Sequence, residues 1–482
     1  MCGDSDTPKE HCGVVAVATA KEDAMPYIHN GLVAEQHRGQ DSFGIALLDK
    51  KGFHVEIKMG LVSELPTLKG IDGRFGIGHV RYTTAGVPNI KDSQPNKARC
   101  RGLEIVTAFN GNVANVMRLK EKLRREYSFA GNGDGEVIAT LIASYLDKGM
   151  DLESAIVTAQ RDIDGAYSVV LLTSRGKLAA FRDPHGLRPL SFGRKGSSIM
   201  FASESVALDA NGFTSIESVR PGELITVSNG NVTRRQMAAG KPTAHCMFEF
   251  VYFSRPDSVL EGQSVYNARF RLGIELAKTY STDADIIVPV PDTARPAAEG
   301  MHEVTGIPVR EGLMKNRYIG RTFILPSQGE RERAVKIKLN PIPAVVSGKK
   351  IVLVDDSLVR GTTLRNLVSE LRRAGARKVE VWLTCPPIIS PCFYGIDMSN
   401  HNELAAAKMS VDEIEAQIGA DALRYQTIDG LKKALGLGND LCTGCLTAKY
   451  PTKLANMLAK ELSKSDIKGR YFEQKSLAES KA

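Results

Sequence analysis

The sequence predicts two folded units in series. The first is a layered α+β domain with mainly antiparallel sheet, over residues 12 to about 240; the second is an α/β domain with a parallel sheet. Three observations predict this. The first part of the chain is rich in short strand-like runs ended by Gly, Asp or Asn, with few helices between them. Beyond about residue 260, helices alternate with nearly all-apolar strands, the pattern of strands covered on both faces. And 482 residues, 43% apolar and 24% charged, are enough for two or three ordinary globular cores.

In the front domain, CGVVAVA, FGIALLD, FGIGHVRY and LEIVTAFNGN read as strands. GEVIATLIASYLDKG has helical spacing and a Gly stop, and AYSVVLLTS, KLAAFRD and IMFASES are further strands. In the second domain, YNARFRLGIELAKTY is a helix, DADIIVPVPD a strand and ARPAAEGMHEVTG a helix. KKIVLVDDS is the next strand, TTLRNLVSELRRAGA a helix and KVEVWLTC a strand. After about residue 400 the chain reads as helical and mixed, with a polar end.

Composition narrows the function classes. No apolar run approaches the ~20 residues of a membrane helix, so no membrane role is expected. The first residues lack a secretory or transit pattern, so a cytoplasmic protein with reduced thiols is expected. Its eight cysteines then favour metal or catalysis over disulfides. The net charge of +8 suits nucleic acid, a polyanionic small molecule or a solvated surface, and the last is the default.

The segment IVLVDDSLVRGTTL, residues 351–364, ends an apolar strand in Asp355-Asp356. A loop of Ser357, Arg360, Gly361, Thr362 and Thr363 leads straight into a helix. Ligands of α/β sheets bind beyond the carboxyl ends of strands, and a helix N-terminus presents free N–H groups that suit phosphate. Two adjacent carboxylates suit sugar hydroxyls or Mg²⁺. The segment resembles the phosphoribosylpyrophosphate (PRPP) motif of type I phosphoribosyltransferases. The resemblance implies Asp355 and Asp356 on the ribose and Mg²⁺, and 357–363 on the 5′-phosphate. It also implies Thr293, in VPVPDTARPAA, as an Mg²⁺ ligand, and Lys315, Arg317 and Arg321 beside PRPP. The stretch through Lys336 and Lys338 resembles the family's flap over PRPP.

At the other end of the chain, Cys12 runs directly into a strand, whereas Cys2 lies in a polar leader. A cysteine attacks an amide when a base sits beside it, and a free α-amine, with a pKa near 8, is such a base. Five spaced segments resemble N-terminal-nucleophile glutamine amidotransferases, which have an αββα sandwich fold: CGVVAVA, QHRGQDSFGIA, GHVRYTTAG, FNGNV and GNGDGEVIATLI. The resemblance implies Cys12 as nucleophile and Asn110 and Gly111 as the oxyanion hole. It implies Arg81 on the glutamine carboxylate and Asp134 on its amine, with His79, Arg38 and Gly39 in the same glutamine site. Cys12 would be exposed by removal of residues 1–11. Family members with such a propeptide often carry an acidic residue before the cysteine; here it is His11.

C-T-G-C gives Cys442 and Cys445, a pair suited to a metal centre, a redox dithiol or neither. The propeptide-bearing subset of the family also has cysteines matching Cys246 and Cys392. The resemblance implies that these four hold a structural [4Fe–4S] cluster, with zinc the alternative. Cys100 and Cys385 match no ligand position and read as buried fillers.

The expected organisation is a propeptide over 1–11, a glutaminase domain over 12–240, a phosphoribosyltransferase domain over 241–440 and a C-terminal segment over 441–482. Together the resemblances imply an enzyme that converts glutamine, PRPP and water to 5-phosphoribosylamine, glutamate and pyrophosphate. That is the first committed step of purine synthesis, with ammonia passed between two sites. They imply purine nucleotide inhibitors, a homodimer or homotetramer, and no nucleic-acid partner. Two rivals are a glutamine amidotransferase for another acceptor, disfavoured by the PRPP motif, and a purine-responsive DNA-binding regulator, disfavoured by the amidase-like front.

Overall fold

The run GVVAVA is apolar at every position because both of its faces are covered. In the computed structural model, which describes residues 12–62, 68, 70–82, 89–316, 339–398 and 400–462, the strand Gly13–Ala18 lies between Ser198–Ala202 and Phe75–Arg81 inside a seven-stranded sheet. Alternate side chains of a strand face opposite ways. Val15 and Val17 pack on Ile28 and Leu32 of the helix Met25–Ala34. Val14, Ala16 and Ala18 pack on Val106, Ala108, Val170 and Leu172 of a second, six-stranded sheet.

The far face of that second sheet carries Phe109, Tyr167 and Leu171. It is closed by the helices Asp134–Asp147 and Leu152–Asp162 through Ile138, Leu141 and Ile156. The order helix, sheet, sheet, helix is the αββα sandwich the sequence implied, and the pairings within both sheets are antiparallel.

The second domain is built on a parallel sheet of order Ile286–Pro289, Lys350–Asp355, Lys378–Leu383, Ala422–Tyr425. Val265–Thr279 and Arg295–Thr305 cover one face, with Leu276, Ala298 and Met301 against Val352 and Trp382. Thr362–Arg373 and Val411–Ile418 cover the other. The first two helices cross closely at glycine: a Cβ at Gly273 would lie 1.9 Å from the Ala297 carbonyl oxygen, and one at Gly300 would lie 2.0 Å from that of Phe270. The strand Ala422–Tyr425 corrects the reading of that stretch as helical and mixed. Four residues are too few to show a period, and pairing with Glu380–Leu383 is what makes them a strand.

The chain end returns to the joint between the domains. Cys442 pairs with Cys246 across a two-residue parallel bridge. The helix Lys453–Leu462 places Leu458 and Leu462 in a cluster with Ala166 and Leu187 of the front domain and Phe393 and Tyr394 of the second.

Candidate active sites and a cysteine cluster

Cys12 stands at the amino end of the central strand, half-buried, with a left-handed φ of +42°. A non-glycine residue there costs roughly 1–2 kcal/mol, so the surrounding packing holds it. Register places Gly13 opposite Val80, and Ser42 opposite Arg81, which brings Cys12, Arg81 and Ser42 to one end of three neighbouring strands. Burial pushes the Cys12 thiol above its ordinary range; the Tyr82 backbone and the charges of Arg81, Arg188 and Arg38 pull it back.

His79 joins the two sheets. It is fully buried, and its Nε2 lies 3.1 Å from the Phe109 carbonyl oxygen, so that nitrogen carries the proton. Burial first, then the charge of Arg81, drives its pKa down to about 3, so the ring is neutral. The residues after Phe109 are Asn110 and Gly111. Asn110 Nδ2 donates to Ser203 Oγ at 3.3 Å, and Ser203 Oγ also accepts from the Val14 N–H at 3.0 Å. Ser203 therefore ties Asn110 to the strand that carries Cys12. Gly111 has φ +151°, and a Cβ on it would lie 2.0 Å from the Ala166 carbonyl oxygen, so only glycine fits.

Arg81 approaches Asp92 to 4.0 Å, and Asp92 accepts from the Asn132 N–H at 2.8 Å. Asp134 opens its helix and accepts from the Val113 N–H at 2.8 Å. Of these groups, Asp92 and Asn132 line an open cavity of about 760 Å³. Gly39 lies against the backbone of Val80 and Arg81, where a Cβ would come within 2.5 Å.

Arg38 is turned inward. Its Nε donates to the Cys12 carbonyl at 3.2 Å, and its other nitrogens pair with Glu204 at 2.6 Å and Glu249 at 2.9 Å. Arg188 also pairs with Glu249, at 3.1 Å, and donates to the Gly395 carbonyl. Glu204 further accepts from the Arg255 N–H and Ser258 Oγ, which ties the front domain to the joining segment. Burial opposes ionisation of Glu204 and Glu249. The charges of His37 and Arg38 outweigh it at Glu204, and those of Arg38 and Arg188 at Glu249, so both sit below the ordinary carboxylate range. Removing one partner of such a buried set costs about 3–5 kcal/mol. Glu204, Glu249, Arg188 and Ser203 are absent from the site the sequence implied. The signal was there at Glu249, a charge inside the apolar run FEFVYF that had to find a buried partner.

In the second domain, Asp355 ends its strand at the carboxyl edge of the parallel sheet. Asp356 follows, buried, with Oδ1 accepting from Ser357 Oγ at 2.6 Å and Oδ2 from Thr293 Oγ1 at 2.7 Å. Thr293, Asp355, Asp356 and Ser357 thus stand together. Burial raises the Asp356 carboxyl despite those hydroxyls and the charge of Arg269, a site that a cation would relieve. Gly361, at φ +83°, caps the helix that starts at Thr362 and Thr363. Arg360 pairs with Glu403 at 2.7 Å and Lys315 with Asp292 at 2.7 Å. Arg317, Arg321, Lys336 and Lys338 lie outside the described residues.

Cys246, Cys392, Cys442 and Cys445 line one small cavity with Arg188 and Tyr450. Burial pushes all four thiols up; backbone amides pull back at Cys246, Cys392 and Cys442, and Arg188 at Cys246 and Cys392. The Tyr394 N–H donates to Cys392 Sγ at 3.4 Å. Among the described residues, no group of three or more His, Cys, Asp or Glu side chains is placed to hold a metal ion. Cys100 is buried in the front domain, whereas Cys385 is buried in the same core cluster as Cys445 but does not line this cavity.

An amidase-type sandwich with a cysteine at a strand end, followed by a parallel sheet with an acidic pair before a glycine-capped helix, defines a glutamine-dependent phosphoribosyl transferase. A glutamine amidotransferase domain model matches residues 79–210 and a phosphoribosyl transferase domain model matches 257–389. The amidophosphoribosyltransferase of Methanothermobacter thermautotrophicus is 43% identical over 461 residues, 94% of this chain and 97% of that protein. That of Bacillus subtilis is 41% identical over 455 residues, 92% of this chain and 95% of that protein. The solved B. subtilis glutamine PRPP amidotransferase, complexed with ADP and GMP, superposes with a TM-score of 0.86 at 40% identity, over 92% of this chain and 98% of that one. The chain belongs to the amidophosphoribosyltransferase family.

Proposed function

We propose that the two sites of this enzyme divide the family's reaction, the first step of purine biosynthesis, between a glutamine-hydrolysing front domain and a PRPP-binding second domain. The observation that supports this most is the pair of strand-end sites in one chain, Cys12 on a strand that Ser203 ties to Asn110, and Asp355–Asp356 before a glycine-capped helix.

Cys12, once residues 1–11 are removed, attacks the glutamine amide with its own α-amine as base. Asn110 and the Gly111 amide receive the charge on the carbonyl oxygen, Arg81 holds the substrate carboxylate and Asp134 its ammonium. Ammonia leaves, and water hydrolyses the thioester to glutamate. In the second domain the turn 357–363 holds the 5′-phosphate and the acidic pair holds the ribose hydroxyls. Thr293, Asp355 and Asp356 would hold Mg²⁺, which supplies charge stabilisation to the departing pyrophosphate. Ammonia attacks C1 from the opposite side, so positioning dominates and no protein nucleophile is needed.

Pyrophosphate release from PRPP is expected to require glutamine or ammonia. Release at the same rate with neither present would refute the assignment.

The four clustered cysteines are proposed to hold a [4Fe–4S] cluster that fastens the C-terminal segment at the domain joint. The fit rests on a shared cavity whose amides and Arg188 favour negative sulfur, and four thiolates also suit zinc. Anaerobically purified protein is expected to be brown, with about four iron and four sulfide per chain, and Cys445→Ser colourless; a colourless zinc protein would decide for the alternative. Among the described residues no helix is long and apolar enough to cross a membrane. We place the enzyme in the cytoplasm as a homo-oligomer inhibited by purine nucleotides, in keeping with the ADP and GMP of its relative.

A further inference from the structure

Glu35 stands in AEQHRGQ at the end of an apolar helix and is fully buried. Its Oε1 accepts from the Glu204 N–H at 2.7 Å. Its Oε2 is buried without a hydrogen-bond partner. A Cβ on Gly13 would lie 2.5 Å from that Oε2, so the carboxyl fills the niche where a side chain at Gly13 would go, one residue from Cys12. Glu204 follows Ser203, whose hydroxyl aligns Val14 and Asn110. Glu35 thus touches both halves of the amide site from behind.

We propose that Glu35 is a positioning residue of the amide-hydrolysing site, propping the Cys12–Gly13 bond and clamping the Ser203–Glu204 turn that aligns Asn110. This rests on the assignment of Cys12 as the nucleophile. The clamp works with a neutral carboxyl. Around Glu35 stand Arg38, Glu204, Glu249 and His37, with His79 and Arg81 on the neighbouring strand Phe75–Arg81. Arg38 is engaged by Glu204 and Glu249, and Arg188 by Glu249. An ionised Glu35 would therefore place a third carboxylate against two. Burial, reinforced by Glu204 and Glu249, holds Glu35 well above the ordinary carboxylate range. Raising the pH ionises it, and the like charges push the turn and the nucleophile end apart.

The test compares full-length wild type with E35Q and E35A from about pH 6 to about pH 10, reading glutamine-dependent and ammonia-dependent synthesis. The wild type is expected to lose glutamine-dependent kcat as the pH rises and Glu35 ionises, while ammonia-dependent synthesis follows its own profile. Glu35→Gln, which cannot ionise, is expected to remove that fall. Glu35→Ala is expected to lower glutamine-dependent kcat about tenfold with little change in KM, the mark of lost alignment. Thermal midpoints give a second reading. A carboxyl whose folded pKa is raised binds more protons folded than unfolded, so wild type should lose stability relative to E35Q as pH rises through that window. An E35Q pH profile that overlays wild type, or E35A with full glutamine activity, would overturn the proposal. Glutamine activity surviving in Cys12→Ala would instead overturn the nucleophile assignment.

Discussion

Cys12→Ala is expected to abolish glutamine-dependent synthesis, by roughly 10⁴-fold or more, and to leave ammonia-dependent synthesis within about twofold of wild type. The large effect follows, on the proposed mechanism, from removing the atom that forms the thioester, which binding and the proposed oxyanion donors cannot replace. The small one follows from distance along the design of the fold. Cys12 sits in the sandwich, while Asp355, Asp356 and Thr293 sit at the edge of a separate parallel sheet with its own core. Folding should survive, because alanine removes only a half-buried thiol and leaves the strand Gly13–Ala18 intact. Steady-state rates with each nitrogen donor check this, and loss of both activities in a folded variant would refute the division of labour. Mass spectrometry of the active protein should find residue 12 first, since the α-amine is otherwise held in the peptide bond to His11.

Asp356→Asn is expected to damage both activities together. A charge-assisted contact is worth about 1.5–3 kcal/mol, so the PRPP KM should rise roughly 10- to 150-fold with either nitrogen donor, and the Mg²⁺ requirement should rise with it. Stability should not fall. Asp356 is buried and its carboxyl is raised, so the folded state already disfavours its charge; asparagine keeps the shape and can still meet Thr293 and Ser357. The sign follows: wild type should lose stability relative to Asp356→Asn as pH climbs above the ordinary carboxylate range. Initial rates against PRPP and Mg²⁺, with melting curves at two pH values, check both parts. An unchanged PRPP KM would remove Asp356 from the site.

The parts of the fold legible in the sequence were those with local causes. The apolar run GVVAVA, the helical spacing of GEVIATLIASYLDKG and the strand-turn-helix of IVLVDDSLVRGTT all appear in the structure where the residues placed them. Ala422–Tyr425 was not legible, because a four-residue strand with a charged Arg424 carries no period and is fixed by its neighbour. Asp355-Asp356 and Asn110-Gly111 stood out for the same reason as the helices: each is a short contiguous motif.

The short contiguous motifs, CGVVAVA, FNGNV and IVLVDDSLVRGTT, were by themselves enough to imply the family and the class of chemistry. Tertiary structure alone decided what holds that chemistry in place. Arg38 meets Glu204 across 166 residues and Glu249 across 211, and Asn110 meets Ser203 across 93. Such partners share no local pattern. Buried charges must be matched, but which distant group matches them depends on how the sheets stack and where the joining segment crosses, and that is settled only when the chain has folded.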